Sequence, residues 1–434
     1  MDEKLFSDVE SPKTLPKEIG GEPRLQTADR TQLQLYPCDL EALLAADHPA
    51  RLVWRFAEGL NLQSFYDAIL AREQHPGRPA VDPKILMALW LYATIEGVGS
   101  ARELDRLCEQ HDAYRWLCGG VSMNYHTLSD FRVSHQQALD RLLTDSIAVL
   151  LYRNVVKLAA VAQDGMRVRT SAGAGSFRRR QSLTECLKRA KQQVDRTARQ
   201  AEGEMTARQG AAQQRAARER WERVEQALEE LARVEATKAR QKQPSEPRAS
   251  TPDAQARVMK MADGGFRPAY NVQFATDVDS RVIVGVEVTN SGSDGGQLIP
   301  MLDQIEGRTG KRANHYLADG GFLSRETVTA ADALGVVLYG PVQKPKSGRD
   351  RAAPCRGDSP AVKAWRARSA TDQAKALYKL RAATAEWVNA DARTHRTLSS
   401  IPLRGMAKAR SCALWAALAH NMLRSFKLLP EFTH

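Results

Sequence analysis

Two apolar runs that predict buried strands end in the same way. The first, "LAAVAQDG" at Leu158 to Gly165, closes with an aspartate and a glycine, and the second, "YLADGGF" at Tyr316 to Phe322, contains an aspartate and two glycines. The glycines are expected to let the backbone turn sharply after each strand. Sites in α/β sheets tend to lie at strand ends, so Asp164 and Asp319 should lie close together if the two strands are neighbours. A single Asp-Gly pair is usually a simple turn, but for two on matching strands a turn and a shared site are nearly equal explanations.

Two carboxylates that lie close together need a counter-cation, and such oxygen ligands suit hard divalent ions, above all magnesium. A third carboxylate is expected from the late helices, where "YKLRAATAEWVNADARTHR" offers Glu386. Arg381 lies five positions before Glu386 and Arg393 seven after it, so Arg393, about two helical turns on, shares its face more closely. Asp391 competes for the same role on position alone.

Length and charge narrow the class of protein. The 434 residues, 43% of them hydrophobic, suffice for two or three domains. Lys and Arg outnumber Asp and Glu by 63 to 51, which favours a partner rich in phosphates, with nucleic acid ahead of an anionic membrane. The longest strongly apolar run, "ILMALWLY", is far shorter than the ~20 residues that span a bilayer, so no membrane partner is expected. The acidic N-terminus lacks a signal core, which predicts a cytoplasmic protein. The scattered cysteines predict neither a zinc ribbon nor a disulfide framework.

The N-terminal part predicts a loose segment, 1–42, followed by a helical domain, 43–151. Start and stop signals mark the helix boundaries: Asp82 followed by Pro83, Gly97, the capping box that opens at Ser100, and Thr127 as the cap of a long helix. Short helices joined by tight turns are compatible with a helix-turn-helix-like module, although many all-helical domains share the pattern. We expect this domain to recognise DNA, with Arg132 near the start of the long helix.

A charged helical tract at 178–242 predicts an antiparallel hairpin with its turn near Gly203 and Gly210. A solvated spacer and a DNA-contacting arm explain it about equally well. We expect the first helix to contact DNA through three arginines of "FRRRQ", namely Arg178, Arg179 and Arg180. The second helix should pack against the first through an apolar seam that comprises Trp221, Val224, Leu228 and Leu231.

The remaining segments, 152–177 and 250–434, predict one mixed α/β domain that the insert and linker at 178–249 interrupt. Once the insert is omitted, the elements follow in the order β, ββ, α, β, α, β, α, α. The last two helices are predicted at about 372–393 and 403–428. The fold class is therefore α/β, with an all-α domain in front.

These motifs resemble those of the DDE transposases of bacterial insertion sequences, which place a helical N-terminal domain ahead of an RNase H-like catalytic domain. "RPAVDPKILMALWLY" is similar to part of the N-terminal domain, "AQDGMRVRTSAG" and "YLADGGF" to the segments with the first two acids, and "YKLRAATAEWVNADAR" to the tyrosine-arginine-glutamate-lysine signature. The resemblance implies catalytic, metal-binding acids at Asp164, Asp319 and Glu386, and phosphate-binding residues at Tyr378, Arg381 and Arg393. Arginine stands where the family usually has lysine, and the arginine-to-glutamate gap differs by one from the commonest form.

The resemblance implies an enzyme that binds terminal inverted repeats and target DNA and carries out hydrolysis and strand transfer with two Mg²⁺ ions, for which Mn²⁺ can substitute. It also implies a homodimer or a larger assembly that pairs two DNA ends. Two other functions would use the same residues: an inactive relative kept as a DNA-binding protein, and an RNase H-like nuclease that cuts without joining. No G-x-S-x-G motif and no P-loop occurs, so neither a protein nucleophile nor ATP is expected.

Overall fold

Seven α-helices open the part of the chain that this computed structural model describes, which comprises residues 39–71, 79–200, 207–240, 242, 245–342 and 350–433. The helices follow one another as α1 (Pro49–Glu58), α2 (Gln63–Asp67), α3 (Pro83–Ile95), α4 (Ala101–Gln110), α5 (Asp112–Cys118), α6 (Tyr125–Ser134) and α7 (Gln136–Tyr152). Residues 1–38 of the segment predicted to be loose lie outside the described part. A short 3-10 helix, Glu41–Leu43, precedes α1.

The predicted helix starts are confirmed at two caps and wrong at a third. Asp82 and Ser100 cap α3 and α4, since each side chain accepts a hydrogen bond from a backbone N–H of the first turn. Thr127 does not cap a helix. Asn124 caps α6 instead, and its Oδ1 accepts a hydrogen bond from the Thr127 backbone N at 2.9 Å. The long helix predicted beyond this point is two helices, which meet at His135.

A mixed sheet forms the centre of the second part of the chain. Its strands are β1 (Ala160–Thr170), β4 (Arg257–Lys260), β5 (Phe266–Asp277), β6 (Ile283–Thr289), β7 (His315–Leu317), β8 (Val337–Tyr339) and β9 (Ser400–Ile401), while β2 (Phe177–Arg178) pairs only with β3 (Ala249–Ser250). The main order is β4-β5-β1-β7-β8, with β6 beside β5 and β9 beside β1. β5 runs antiparallel to β1, and β7 and β8 run parallel to it. Helices flank this sheet, so the predicted RNase H-like α/β class is confirmed.

β1 differs from the prediction because it continues past Asp164. Asp164 lies opposite Phe274, and Gly165 lies opposite Gln273 in the antiparallel ladder with β5. A Cβ on Gly165 would lie under 3.0 Å from side-chain atoms of Asp294 and Gln273. Gly165 therefore permits the close approach of buried polar side chains and makes no turn.

Asp319 lies where the sequence predicts it, just beyond the C-terminal end of β7. β7 is the parallel neighbour of β1, with Leu317 beside Ala162, so the condition set for a shared site of Asp164 and Asp319 is met. The carboxylate of Asp319 accepts a hydrogen bond from the Gly321 backbone N at 2.8 Å, which closes the turn.

The insert forms a hairpin of α8 (Arg180–Gln200) and α9 (Ala207–Arg240). Arg180 pairs with Glu235, and Arg220 donates to Gln193 at 3.2 Å, so the two helices run antiparallel as predicted. The predicted apolar seam is buried at Val224 and Leu231, where Leu183 of α8 packs against Leu231. Of the two glycines predicted at the turn, Gly203 lies outside the described residues, and the prediction for Gly210 is wrong because Gly210 lies within α9.

The remaining helices cover the sheet and join it to the N-terminal helices. They are α10 (Leu298–Thr309), α11 (Arg325–Ala333), α12 (Pro360–Ala370), α13 (Asp372–Arg381), α14 (Trp387–His395) and α15 (Met406–Leu428). α12 was not predicted, and a π-helix, Ala382–Glu386, joins α13 to α14. α15 is buried along most of its length and brings Trp415 against Trp90 of α3, so residues 40–434 form one compact unit. Within the described residues, no helix combines the length and the apolar character needed to cross a bilayer.

Candidate active site

Asp164 projects from the middle of β1 as a mostly buried carboxylate. It accepts hydrogen bonds from Asn389 Nδ2 at 3.1 Å and from the Gly165 backbone N at 3.0 Å. Burial raises the pKa of the Asp164 carboxyl above its usual value. Arg381 opposes the rise in pKa, while repulsion from Asp319 adds to it. The site therefore favours the arrival of further positive charge.

Arg381 lies between two of the predicted acids. Its Nη2 donates to Glu386 Oε1 at 2.6 Å, and its Nη1 lies 3.3 Å from Asp164 Oδ1. Nη1 has no hydrogen-bond partner among the described residues, so its attraction to Asp164 is electrostatic only. The guanidinium also lies 5.8 Å from the centre of the Tyr378 ring. One cation thus balances carboxylates from β1 and from the late helices, and Tyr378 borders the same group.

The π-helix explains why Arg381 and Glu386 meet. Residues five positions apart point to different sides of an α-helix. The i→i+5 hydrogen bonding of a π-helix brings them to the same side, and such turns are frequent at functional sites. Arg381 therefore contacts Glu386 from five positions away, while the shared helical face of Arg393 and Glu386 stays a prediction. Arg393 is exposed on α14 and lines a separate pocket with Gly165.

Asp391, which competed for the third acidic position, is held by other charges. Arg396 Nε lies 3.2 Å from its Oδ2, and His420 Nδ1 lies 3.5 Å from the same oxygen. Although burial opposes the shift, His420 and Arg396 hold the pKa of Asp391 below its usual value. The side chain of Asp391 is 12% exposed, against 50% for Glu386. Glu386 is therefore the more accessible of the two carboxylates.

A buried polar network behind Asp164 was missed by the sequence analysis. Asp294 Oδ1 accepts hydrogen bonds from Asn271 Nδ2 and Gln273 Nε2, each at 2.7 Å, and its Oδ2 accepts one from Arg167 Nη2 at 3.0 Å. The sequence "AYNVQFATD" indicates this network, because Asn271 and Gln273 are polar residues at alternate positions of an otherwise apolar strand. Polar side chains that face the interior at this spacing predict a hydrogen-bonded network.

Asn389 is a second functional candidate that the sequence analysis missed. Its Nδ2 donates to Asp164, while its buried Oδ1 has no partner among the described residues. A lone asparagine in a helix carries no distinctive sequence signal, because asparagine there usually faces solvent. Its position beside Asp164 follows only from the packing of α14 against β1.

Arg132 does not fit the DNA contact predicted for it. The side chain is buried, and it donates hydrogen bonds to the Gly99 carbonyl and to Cys412 Sγ. Its guanidinium lies 4.8 Å from the ring centre of Trp90, a favourable cation–π distance. These contacts join α6 to α3 and α15, so the structure assigns Arg132 to the core and corrects the prediction.

The three arginines at the base of the insert lie on the surface in different electrostatic surroundings. Arg179 pairs with Glu246 at 2.7 Å, and Arg180 pairs with Glu235. Arg178 is exposed at the end of β2. The positive charge of two of the three is thus already compensated within the chain.

The donor atoms around Asp164 have the chemistry that a hard divalent ion requires. Three carboxylates and the unpartnered Asn389 Oδ1 supply only oxygen, which Mg²⁺ and Mn²⁺ prefer. In the described part of the chain, no group of three or more His, Cys, Asp or Glu side chains is arranged to hold a metal ion. The guanidinium of Arg381 lies between Asp164 and Glu386 instead. The residues fit a divalent ion, provided that Arg381 gives up one of its two carboxylates.

Comparison with known families matches two segments of the chain. Residues 38–134 match the family model described as a transposase domain (DUF772), and residues 229–422 match the one described as a transposase DDE domain. The second segment contains Asp319 and Glu386, whereas Asp164 lies outside both. Neither the curated proteins nor the solved structures gave a match.

Proposed function

Because the chain belongs to the DDE transposases of insertion-sequence type, we propose that it cuts phosphodiester bonds at the ends of a mobile DNA element and joins those ends to a target. One observation carries the proposal. Carboxylates from 164 and 386, far apart in sequence, share the guanidinium of Arg381, and Asp319 lies near enough to Asp164 to raise its pKa. Such convergence of acids from two neighbouring strands and a late helix is the arrangement that metal-assisted phosphoryl transfer needs.

Members of this family depend on divalent metal ions, and the proposed ligands here are Asp164, Asp319 and Glu386, with Asn389 Oδ1 as a neutral oxygen beside them. When bound, two Mg²⁺ ions, or Mn²⁺ in their place, would activate water or a DNA 3′-hydroxyl and stabilise the departing oxygen. Arg381 would exchange a carboxylate for a DNA phosphate, which its planar guanidinium suits. Tyr378 borders that guanidinium and Arg393 lies further along the same helical segment, so both remain proposed phosphate contacts.

We assign the parts of the chain to separate tasks. The helices of 43–151 would recognise terminal inverted repeats, the segments 152–177 and 250–434 would carry the chemistry, and the insert at 178–249 would extend along DNA or a second protomer. A homodimer or a larger assembly follows from the need to hold two DNA ends together. The DNA substrate would place this work in the cytoplasm, at the bacterial nucleoid.

The choice of third acid is tested by a matched pair of substitutions. Glu386→Gln should abolish cleavage of DNA ends in the presence of Mg²⁺ and leave DNA binding intact. Asp391→Asn should keep cleavage, although it breaks ion pairs with Arg396 and His420 and therefore lowers the melting temperature. Loss of cleavage in Asp391→Asn alone, with Glu386→Gln active, would transfer the role to Asp391.

The two alternative functions are separated by the products formed from pre-cut ends and a target plasmid. Joined products support transposition, and cutting without joining supports an RNase H-like nuclease. Binding without either reaction would identify an inactive relative that acts through its DNA-binding helices. The ends to be used come from sequencing the DNA that flanks the reading frame, where inverted repeats are expected.

A further inference from the structure

A pocket of about 370 Å³ begins one residue after Asp164. Its lining residues are Gly165, Arg167, Lys260, Met261, Ala262, Gly292 and Arg393. Three of them are cationic, and they come from three separate elements: β1, the end of β4, and α14. No lining residue is acidic. The pocket therefore gathers positive charge around β1 and α14, the elements that also carry Asp164 and Asn389.

The position of Arg167 is fixed by the buried network behind β1. Its Nη2 donates to the Gly292 carbonyl at 3.0 Å and to Asp294 Oδ2 at 3.0 Å. Asp294 is itself buried and receives two amide hydrogen bonds, so it cannot swing away to compensate the other cations. Arg167 is thus preorganised, so its side chain loses little conformational entropy when an anion binds.

Lys260 and Arg393 contribute charge that the protein does not use internally. Neither side chain forms an ion pair with a described residue, and both are exposed. By contrast, Arg179 and Arg180 at the base of the insert are paired with glutamates. The two uncompensated cations of the pocket, beside Arg167, whose charge Asp294 pairs, favour the binding of a polyanion that crosses this part of the protein.

The β4–β5 hairpin that carries Lys260 also exposes apolar surface. Phe266 lies directly opposite Lys260 in the ladder and is 68% exposed, and Val258 is 50% exposed. Val258 lies on the edge strand β4 and Phe266 at the start of its neighbour β5, and an exposed apolar patch at a sheet edge is a candidate contact surface. A DNA strand meets both requirements, since its phosphates match the cations and its sugars and bases offer apolar surface.

We infer that this pocket, formed by Arg167, Lys260 and Arg393, binds a backbone phosphate of DNA that neighbours the bond to be cut. The inference rests on the proposed function and adds a phosphate-binding site to it. Arg381 contacts Asp164 itself, whereas the pocket begins at Gly165, so the two sets of cations engage different phosphates of one bound DNA. The site would fix the path of the DNA across the active centre.

The test measures the salt dependence of DNA binding by the full-length chain without divalent ions. Each phosphate contact contributes about 0.9 to the slope of log K against log salt concentration. Fluorescence anisotropy of a labelled duplex should give Lys260→Gln a slope smaller by about 0.9 than that of the wild type. The double variant Lys260→Gln/Arg393→Gln should lose about 1.8. Lys260→Arg keeps the charge and should restore the slope.

The matched control is Lys311→Gln, which removes the same charge from an exposed lysine that precedes β7, whereas Asp319 follows that strand. Its slope should equal that of the wild type, and unchanged melting curves show that all variants are folded. The duplex is either a pre-cut end or unrelated DNA, and a reduced slope with either supports the pocket and identifies which DNA occupies it. Wild-type slopes for Lys260→Gln on both duplexes would overturn the inference. If the wild type cuts DNA in that case, the proposed function stands without the pocket, whereas a wild type that neither binds nor cuts DNA removes both.

Discussion

Gly165→Ala should destabilise the protein more than the addition of a single methyl group suggests. The added Cβ would lie under 3.0 Å from Asp294 Oδ1, Gln273 Nε2 and Asn271 Oδ1, all of which are buried. Real Cβ atoms do not approach other heavy atoms this closely, so at least one of these side chains must move. Both amide hydrogen bonds to Asp294 Oδ1 are already short at 2.7 Å, so the side chains cannot move closer to Asp294 to make room.

The expected cost combines two terms. Overpacking of a well-packed interior costs ~1–3 kcal/mol. Loss of a hydrogen bond to a buried charged group costs a further ~1.5–3 kcal/mol. The free energy of unfolding should therefore fall by about 3–5 kcal/mol, near the upper end for single substitutions. Arg167 shares Asp294 with the amides, so its position in the cationic pocket should loosen as well.

Urea unfolding followed by tryptophan fluorescence measures the change, with Gly173→Ala as the matched control. Gly173 has a φ of −82°, which alanine accepts, and no atom lies within 4 Å of the Cβ it would gain. Its free energy of unfolding should change by less than about 0.5 kcal/mol. If Gly165→Ala unfolds at the same urea concentration as Gly173→Ala, the close packing of Gly165 against the network is refuted.

Three further predictions follow from particular contacts. Arg132→Ala should lower the free energy of unfolding by ~2–4 kcal/mol, because a charge-assisted hydrogen bond and a cation–π contact are lost, and the salt slope of DNA binding should not change; a slope smaller by about 0.9 would return Arg132 to the DNA interface. Burial lowers the pKa of His135 from 6.5, so the unfolded chain binds the proton first, and the melting temperature should fall as the pH drops below about 6.5; His135→Gln should reduce that dependence, and an equal dependence in the variant would contradict it. Deletion of the exposed Ala383 should convert the π turn to an α turn with little loss of stability, whereas deletion of Ala390 from the regular helix α14 should destabilise it strongly; equal melting temperatures for the two deletions would count against this role of the π turn.

The sheet and the position of Asp319 were predictable because they depend on local patterns. An apolar run that ends in Asp-Gly-Gly specifies a short buried strand and a turn, and β7 with the Gly321 contact to Asp319 follows that pattern. The insert helices were predictable for the same reason, since their apolar seam repeats at helical spacing. The adjacency of β1 and β7 was only a condition in the sequence analysis, because strand order depends on pairing between segments that are distant in sequence.

The features that were wrong or missed depend on partners distant in sequence. Arg132 lies in a helix with polar neighbours, and nothing near it in sequence indicates burial; its partner Cys412 comes from the last long helix. Gly165 resembled a turn residue because Asp-Gly usually marks one, yet the residue that requires the glycine is Asp294, from a loop beyond β6. Sequence periodicity reports which face is buried and does not report what is buried against it.

The pairing of Arg381 with Glu386 has a consequence for the charge of the proposed site. Asp164, Asp319 and Glu386 together carry three negative charges, and one guanidinium balances only one of them, which leaves a deficit of two. Burial raises the pKa of Asp164 even though Arg381 lies 3.3 Å away. Water therefore screens the negative charge of Asp164 poorly, and the uncompensated charge of the site acts on this carboxylate. A monovalent cation would leave half of it uncompensated, whereas a divalent ion removes it at one position. The π turn thus places one positive charge between Asp164 and Glu386, and it leaves a net negative charge that a divalent ion would balance in the proposed site.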